Sequence, residues 1–264
     1  TSGSDKTVNK LQYTLLGDPA LALNLPKATV VIDSINGQPV GSTPVSLASG
    51  SVASVAGHVS GAGTEVLKDF NGTVSLQVMD SRELITCHMN PSARSDKGAN
   101  TPFQFYNRTK SVYSGTDSVS GGRFSMQFVV PVDLNYDNGT GLVCAYAVNS
   151  DRSLSAHGSS EAFILGGNGT AGSDSIGPKI RCYLNSPDFQ NGGNVNPTPY
   201  FAASLSDDDG INATGNGIGH DLELVVDGEA ARTYNLNDNF QFDFGSYTSG
   251  STWTFCGASW FARA

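Results

Sequence analysis

The most reactive side chains of this sequence are four cysteines and four histidines, the residue types that form the dyad of a cysteine peptidase. Cys87 and His88 are neighbours, and neighbours on a strand point to opposite faces, so they cannot form a dyad with each other. The remaining histidines, His58, His157 and His220, have no sequence context that marks a catalytic role. We therefore predict no catalytic residue in this chain.

Acidic loops supply the hard oxygen ligands that calcium prefers. The segment 133–139 places Asp133, Asn135 and Asp137 as in the start of an EF-hand loop. Its sixth position is Asn138 instead of glycine, and Cys144 occupies the position of the bidentate glutamate. The EF-hand pattern therefore fails at two positions.

A second acidic stretch contains the candidate calcium ligands Asp207, Asp208, Asp209 and Asp221, with Glu223 close behind. Such a stretch is more often a solvated turn, and the sequence leaves both interpretations open. No other cofactor is predicted, because the sequence has no GxSxG elbow, no phosphate-binding GxxxxGK[ST] loop and no strand-linked GxGxxG motif.

The four cysteines are too few for a disulfide scaffold, and no CxxC spacing indicates zinc. Cys144 and Cys182 lie in apolar, strand-like stretches, where a free cysteine behaves as a small buried hydrophobic residue. If disulfides form, the pairs Cys87–Cys144 and Cys182–Cys256 are the first to test. The cysteine count therefore leaves the cellular compartment open.

The charge balance excludes one large class of partners. With 15 basic and 24 acidic residues, the chain has a net charge of −9, which is the wrong sign for binding a phosphate backbone. We therefore expect no nucleic acid partner. No apolar run reaches the roughly 18–20 residues of a membrane helix, so the sequence also predicts no membrane span.

Alternation of apolar and polar residues predicts an all-β fold made of antiparallel strands. In 73–79, for example, Val74, Leu76 and Val78 share one face. Asn36-Gly37 is typical of a tight turn between strands. The predicted strands span 29–33, 45–47, 51–58, 73–79, 103–107, 124–130, 141–148, 162–165, 179–184, 200–205, 222–226, 232–236 and 240–244.

Composition divides these strands into two groups. The Gly-rich segment 166–178 has almost nothing to bury and is typical of a linker. We predict one β-sandwich over 27–165 and a second over 179–264. The alternation is lost over 250–264, so the second sandwich is expected to be incomplete and atypical at its C-terminal end.

Several motifs resemble one protein family. The segment 15–21, LLGDPAL, followed by Ile35-Asn36-Gly37, resembles the end of a gingipain-type cysteine peptidase domain running into an immunoglobulin-like domain. Further blocks match in order the region beyond the peptidase domain in the PorU sortase family of type IX secretion. They are DFNG at 69–72, VYSG at 112–115, GRF at 122–124, VPVD at 130–133, GPKI at 177–180, YLN at 183–185 with Phe189 and GG at 192–193, DGIN at 209–212 and GIGHD at 217–221.

The resemblance implies a function for the parent protein. It predicts that 1–26 is the residual end of a peptidase domain and that the fold is two immunoglobulin-like β-sandwiches in tandem. The catalytic His and Cys would lie upstream of residue 1, so the fragment would be non-catalytic. The resemblance further implies the outer-membrane surface of a Gram-negative, Bacteroidetes-type bacterium. Implied partners are the missing peptidase domain, other surface components of the secretion system and secreted cargo proteins.

A function of another class stays open beside it. Many extracellular sandwiches are self-contained surface modules for adhesion or glycan binding. Trp253, Trp260 and the nine tyrosines would be the stacking residues of such a module.

Overall fold

The computed structural model describes residues 25–61, 63–87, 103–131, 139–166, 176–213 and 221–256. Several sequence predictions lie outside these residues. They are the segment 15–21, the acidic loop 133–138, most of the predicted linker, His88, His220 and Trp260.

The fold is all-β, as predicted, with 54% of the chain in strands and several antiparallel sheets. The strands are β1 Ala28–Ile35, β2 Gln38–Pro39, β3 Val45–Leu47, β4 Val52–Ser60, β5 Gly72–Met79, β6 Glu83–Cys87, β7 Phe103–Asn107, β8 Ser111–Val119, β9 Arg123–Val129, β10 Leu142–Asn149, β11 Ser155–Ser160, β12 Phe163–Leu165, β13 Lys179–Leu184, β14 Tyr200–Ser206, β15 Glu223–Val225, β16 Thr233–Asn235, β17 Gln241–Phe242 and β18 Ser249–Phe255. Short 3₁₀ helices span Ala230–Arg232 and Asn237–Asn239.

The largest sheet has the strand order β8-β5-β10-β11-β1-β4-β9, with β2 added to β1. Its two end strands, β8 and β9, are consecutive in the chain and meet through a tight turn with a bridge between Ser120 and Arg123. The sheet is therefore nearly closed and barrel-like. One expectation is corrected here: β1 runs parallel to β11, and β3 runs parallel to β12. Alternation reports which face of a strand is buried, and it carries no information about strand direction.

The interior of this sheet holds the main hydrophobic core. Its strands alternate as predicted, and in β5 the buried residues are Val74, Leu76 and Val78. Phe128 and Phe163 are the largest completely buried side chains. Apolar side chains fill the space between strands, so burial of this core is the main source of stability.

Glycine is required at two kinds of position. In the turn from β1 to β2, Asn36 and Gly37 have positive φ angles of 50° and 71°, as the sequence predicts for a tight hairpin. At Gly158 in β11, an added Cβ would lie 1.8 Å from the Val30 carbonyl oxygen. Gly158 therefore allows β11 to lie close against β1.

The C-terminal strands form a sheet of order β13-β14-β18-β17, with β15 and β16 as a separate pair. Strand β18 continues regular structure past residue 250, where the apolar alternation is lost, because it pairs with β14 over seven register positions. The predicted incomplete end of the second sandwich stays a prediction. Its sequence, SGSTWTF, has high β-propensity without apolar alternation, which is why the pattern missed it. A small core cluster of Ala203, Leu205 and Ile211 lies against this sheet.

The two groups of strands are in contact. Phe242 and Tyr247, from the C-terminal group, pack against the main core of the first group. The predicted division into 27–165 and 179–264 stays a prediction.

Candidate interaction surface

Strands β6 and β7 form a two-stranded antiparallel ribbon outside the larger sheets. In its register, Ile85 lies opposite Phe105, and Cys87 lies opposite Phe103, so these four side chains share one face. The rings of Phe103 and Phe105 stack with centroids 5.8 Å apart. Phe103 is 62% exposed. We call Glu83–Cys87 together with Phe103–Asn107 the aromatic ribbon.

The opposite face of the aromatic ribbon also exposes apolar groups. Leu84 and Tyr106 are paired across the two strands, and both are exposed. A water-facing strand pair normally presents polar side chains on at least one face. Contiguous exposed apolar surface is a feature that protein interaction sites share with other binding surfaces.

The base of the aromatic ribbon is fixed to the barrel by a buried arginine. The Arg108 Nη1 group donates to the carbonyl oxygens of Asp80 and Thr140, both at 2.6 Å. Its Nη2 atom lies 3.2 Å from Glu161, and the arginine side chain is only 7% exposed. The ribbon therefore projects from a base that one buried arginine holds through two hydrogen bonds and an ion pair.

The sequence pattern predicts strand β7 over 103–107 but predicts no strand at the position of β6. The sequence ELITC places the apolar Leu84 and Ile85 side by side, so the strand has no period-two pattern. The exposure of the aromatic ribbon could not be deduced either, because the alternation in 103–107 equally predicts a strand with one buried face.

One histidine is held by a carboxylate. The His58 Nδ1 atom lies 2.8 Å from both Asp33 carboxylate oxygens, at a bulge in β1, and Arg123 lies 3.7 Å from the same carboxylate. The His58 Nε2 atom is buried without a hydrogen-bond partner in the structure. His157 is exposed on β11 opposite Tyr146. The sequence alone indicates neither the contact of His58 with Asp33 nor the position of His157 opposite Tyr146.

The cysteines depart from the sequence predictions. All four thiols are free, so the structure forms neither of the disulfides predicted as candidates. Cys144 is half-buried in β10, whereas Cys182 is exposed on the edge strand β13, and the buried role predicted for it is wrong. Desolvation raises the pKa of the Cys182 thiol. Burial likewise raises the pKa of Cys256, which a backbone hydrogen bond from Phe201 opposes.

The candidate calcium ligands lie in two separate turns. The Asp207 carboxylate accepts a hydrogen bond from the Asp209 amide at 3.0 Å, as in an ordinary Asx turn after β14. The Asp221 carboxylate accepts one from the Asn235 side chain at 3.0 Å. Among the described residues, no group of three or more His, Cys, Asp or Glu side chains could hold a metal ion. The calcium site stays a prediction without support from this part of the chain.

In the part of the chain that the structure describes, no helix has the length and hydrophobicity of a membrane span.

Comparison with known proteins gives an informative structural match. No protein-family model matches the chain, and no curated protein matches it. The crystal structure of dimeric latent PorU from Porphyromonas gingivalis is 32% identical, with a TM-score of 0.56. The match covers 91% of this chain but only 22% of PorU, so the chain spans about a fifth of that protein.

A weaker structural match is Spo0M, a sporulation control protein from Bacillus subtilis, at 12% identity with a TM-score of 0.30. It covers 70% of this chain and 68% of Spo0M, and similarity at this level carries no argument about fold or function. The PorU match includes nearly the whole chain, as do the sequence motifs. The resemblance to a PorU-like C-terminal region, predicted from the motifs, is thereby confirmed.

Proposed function

We propose that this chain is a non-catalytic, protein-binding region of a PorU-like cell-surface cysteine peptidase. Its role is to support the catalytic domain and to offer surfaces to partner proteins. The similarity to about a fifth of PorU supports this role, together with sequence motifs that place the peptidase dyad upstream. On the same resemblance we propose a location on the outer membrane and a part in type IX secretion as the accessory region of a sortase.

The architecture we propose is immunoglobulin-like. The parallel contact between β1 and β11 involves only two register pairs, Ala28 with Ala156 and Thr29 with His157. At the other end, β8 and β9 meet mainly through one tight turn. Two layers, β8-β5-β10-β11 and β1-β4-β9, can therefore face each other as in a sandwich. We also propose a second immunoglobulin-like domain in tandem with the first. It spans 179–264 and contains the C-terminal sheet.

The aromatic ribbon is the observation that carries the binding role. Its exposed aromatic and aliphatic side chains suit a partner protein's apolar surface, and its fixed base reduces the ordering cost of binding. Aromatic side chains dominate the energetic centres of protein interfaces. The partners we propose are the peptidase domain of the same protein, other secretion components and cargo. A second copy is a further candidate, since PorU was crystallised as a latent dimer.

The test is binding of the purified chain to the separately produced peptidase domain of the parent protein. We expect the double variant Phe103→Ser/Phe105→Ser to bind at least tenfold more weakly. Tyr146→Ser is the matched control, because Tyr146 is an aromatic residue 46% exposed on the barrel and outside the ribbon. It should bind as the unmodified chain does.

Thermal unfolding separates loss of binding from loss of fold, since the altered side chains of the ribbon are exposed and their removal leaves the core intact. Unchanged binding by the double variant, with the fold retained, would contradict the role of the ribbon. Absence of any binding by the unmodified chain to the peptidase domain, to itself or to the other proposed partners would overturn the proposed function.

The alternative function, a glycan-binding surface module, also has a specific observation in its favour. Trp253 is 42% exposed and stacks on Tyr200 in the C-terminal sheet.

A further inference from the structure

We propose that one face of the C-terminal sheet binds an acidic saccharide. The register of the strands defines this face. Tyr200 lies opposite Phe255, and in the next row Ala202 lies between Tyr183 and Trp253. Residues opposite each other on antiparallel strands point to the same side, so the four aromatic side chains share one face. We call this group of four aromatic residues the aromatic platform.

The rings of the aromatic platform support one another. Tyr200 and Trp253 stack with centroids 5.6 Å apart and an interplanar angle of 26°. Phe255 meets both rings edge-on, at 5.5 Å from Tyr200 and 6.1 Å from Trp253. Trp253 and Phe255 are nevertheless 42% and 68% exposed. The platform is therefore ordered by its own contacts and still offers ring surface to a ligand.

Polar rows continue the same face beyond the platform. Arg181, Ser204 and Ser251 form the next row, and Lys179, Ser206 and Ser249 form the one after it. Rows on one face are separated by two residues along the strand, about 7 Å. Hydroxyl groups and two cations therefore lie within one or two sugar lengths of the aromatic rings.

A groove lies over these polar rows. Its volume is about 410 Å³, and its lining includes Tyr183, Arg181, Lys179 and the serines of both rows. This volume is within the range of pockets that hold small ligands. Asp243 also lines the groove and, among the described residues of the lining, is the only acidic one, opposed by the two cations.

This arrangement matches the chemistry of a sugar better than that of a purely apolar ligand. A pyranose ring presents an apolar face of C–H groups, which packs on aromatic rings, and a rim of hydroxyl groups, which hydrogen bond to serine and arginine. The Arg181 Nη2 group donates to the Pro187 carbonyl at 2.8 Å, which orients the guanidinium and uses one of its five donors.

The charge of the groove selects the class of saccharide. The chain as a whole carries a net charge of −9, yet the groove gathers one lysine and one arginine around a single aspartate. An anionic ligand gains from both cations, and the arginine fork suits carboxylate or phosphate geometry. A long polyanion such as nucleic acid would be repelled by the rest of the surface. The ligand we propose is a sugar bearing a carboxylate, sulfate or phosphate group.

The test is binding of the full chain to immobilised glycans, comparing uronate-, sulfate- and phosphate-bearing sugars with their neutral counterparts. We expect binding to acidic glycans that weakens as salt is raised. Trp253→Ala should weaken it at least tenfold. Arg181→Gln should retain binding to the aromatic platform but lose most of the preference for acidic over neutral glycans.

Two comparisons keep the result interpretable. Tyr146→Ala, which removes an exposed aromatic residue from the barrel, should bind as the unmodified chain does. Trp253→Phe keeps an aromatic ring at this position and should retain most of the binding. It replaces Trp253→Ala as the test variant if the alanine variant perturbs the sheet. No binding to any glycan, or full binding by a folded Trp253→Ala variant, would overturn the proposal. Binding of the peptidase domain that is lost with Trp253→Ala would instead identify this face as a protein contact. The aromatic ribbon is not altered in these variants, so this proposal and the proposed function fail independently.

Discussion

The Tyr113 hydroxyl donates a hydrogen bond to the Ser246 carbonyl oxygen, 3.2 Å away, and so joins the barrel-like sheet to the C-terminal strands. The Tyr113 ring also lies 4.9 Å from the ring of Phe242. Close by, the Gly245 amide donates to the Thr116 carbonyl at 2.8 Å. These contacts predict that the two groups of strands move as one unit where they meet, although the segment between them has the composition of a linker.

Alkaline pH should loosen this junction. Burial, with a contribution from the Asp117 carboxylate, raises the pKa of Tyr113 to about 12. An unfolded chain loses this proton near pH 10, so between pH 10 and 12 the unfolded state binds fewer protons than the folded state. The free energy of unfolding should therefore fall across this window, by about 2.7 kcal/mol at its upper end. Denaturant unfolding at pH 9, 10 and 11 measures the fall.

The matched variant for this experiment is Tyr113→Phe, which keeps the ring but cannot ionise. Its loss of the hydrogen bond to Ser246 should cost about 1 kcal/mol at pH 8. Between pH 10 and 11 its stability should fall less than that of the unmodified chain, because the two proteins differ only at this residue. Parallel curves for the two proteins would contradict the raised pKa.

Removal of Arg108 should destabilise the base of the aromatic ribbon. Arg108→Ala leaves the carbonyl oxygens of Asp80 and Thr140 without this donor and removes one of the two arginine partners of Glu161. Because the arginine is buried, we expect a loss of about 3 kcal/mol, measured by denaturant unfolding. Arg82→Ala is the control, since Arg82 binds the same glutamate from a 60% exposed position and should cost less than about 1 kcal/mol. Equal losses for the two variants would show that burial does not decide the effect.

The close approach of β11 to β1 makes Gly158 sensitive to a single methyl group. In Gly158→Ala the Cβ would overlap the backbone oxygen of Val30, so a strand must shift. We expect a loss of about 3 kcal/mol in the free energy of unfolding. Gly41→Ala places its Cβ no nearer than 4.0 Å to another group and should change stability by less than about 0.5 kcal/mol. A neutral Gly158→Ala would mean that β1 and β11 are not in contact.

Alkylation should separate the cysteines by burial. Cys182 is exposed and Cys256 is buried, and in both the thiol pKa is raised. Without denaturant, Cys182 should react with iodoacetamide roughly tenfold or more faster than Cys256, whose reaction requires opening of the structure. Mass spectrometry with and without reductant measures both rates. Modification of these two residues only after reduction would show that they form a disulfide.

The sequence predicts this fold well where one face of a strand is buried. Thus β3, in which Val45 and Leu47 are buried, has the predicted bounds, and most barrel strands differ by one or two residues. Strands β7 and β13 also have the predicted bounds, although neither contains a buried residue. The strands that were missed have other compositions. In β8 the sequence SVYSGTDSV interrupts its apolar residues with small polar ones, and in β11 the sequence SAHGSS has little to bury. Their place in the sheet is decided by neighbouring strands, which local patterns do not contain.

The surfaces were predictable to a smaller extent. Trp253 was recognised as a stacking residue from its type alone, whereas Tyr183 and Phe255 join it only through the register of three strands. Parallel pairing and the contact of Tyr113 with Ser246 join residues far apart in the chain. Such contacts depend on the closed topology, so no spacing within one segment could indicate them.

The parallel seam between Ala28 and Ala156 also bears on the order in which the chain folds. These two residues pair in the sheet although more than a hundred positions separate them in the chain. The same holds for Val45 and Phe163. Contacts between such distant segments slow folding, because a long loop must close before they stabilise the structure. During synthesis β1 must therefore wait, unpaired along this edge, until the strand at 155–160 has emerged. The barrel-like sheet can close only late in chain emergence, so the pairing that closes it on this side is among the last to form.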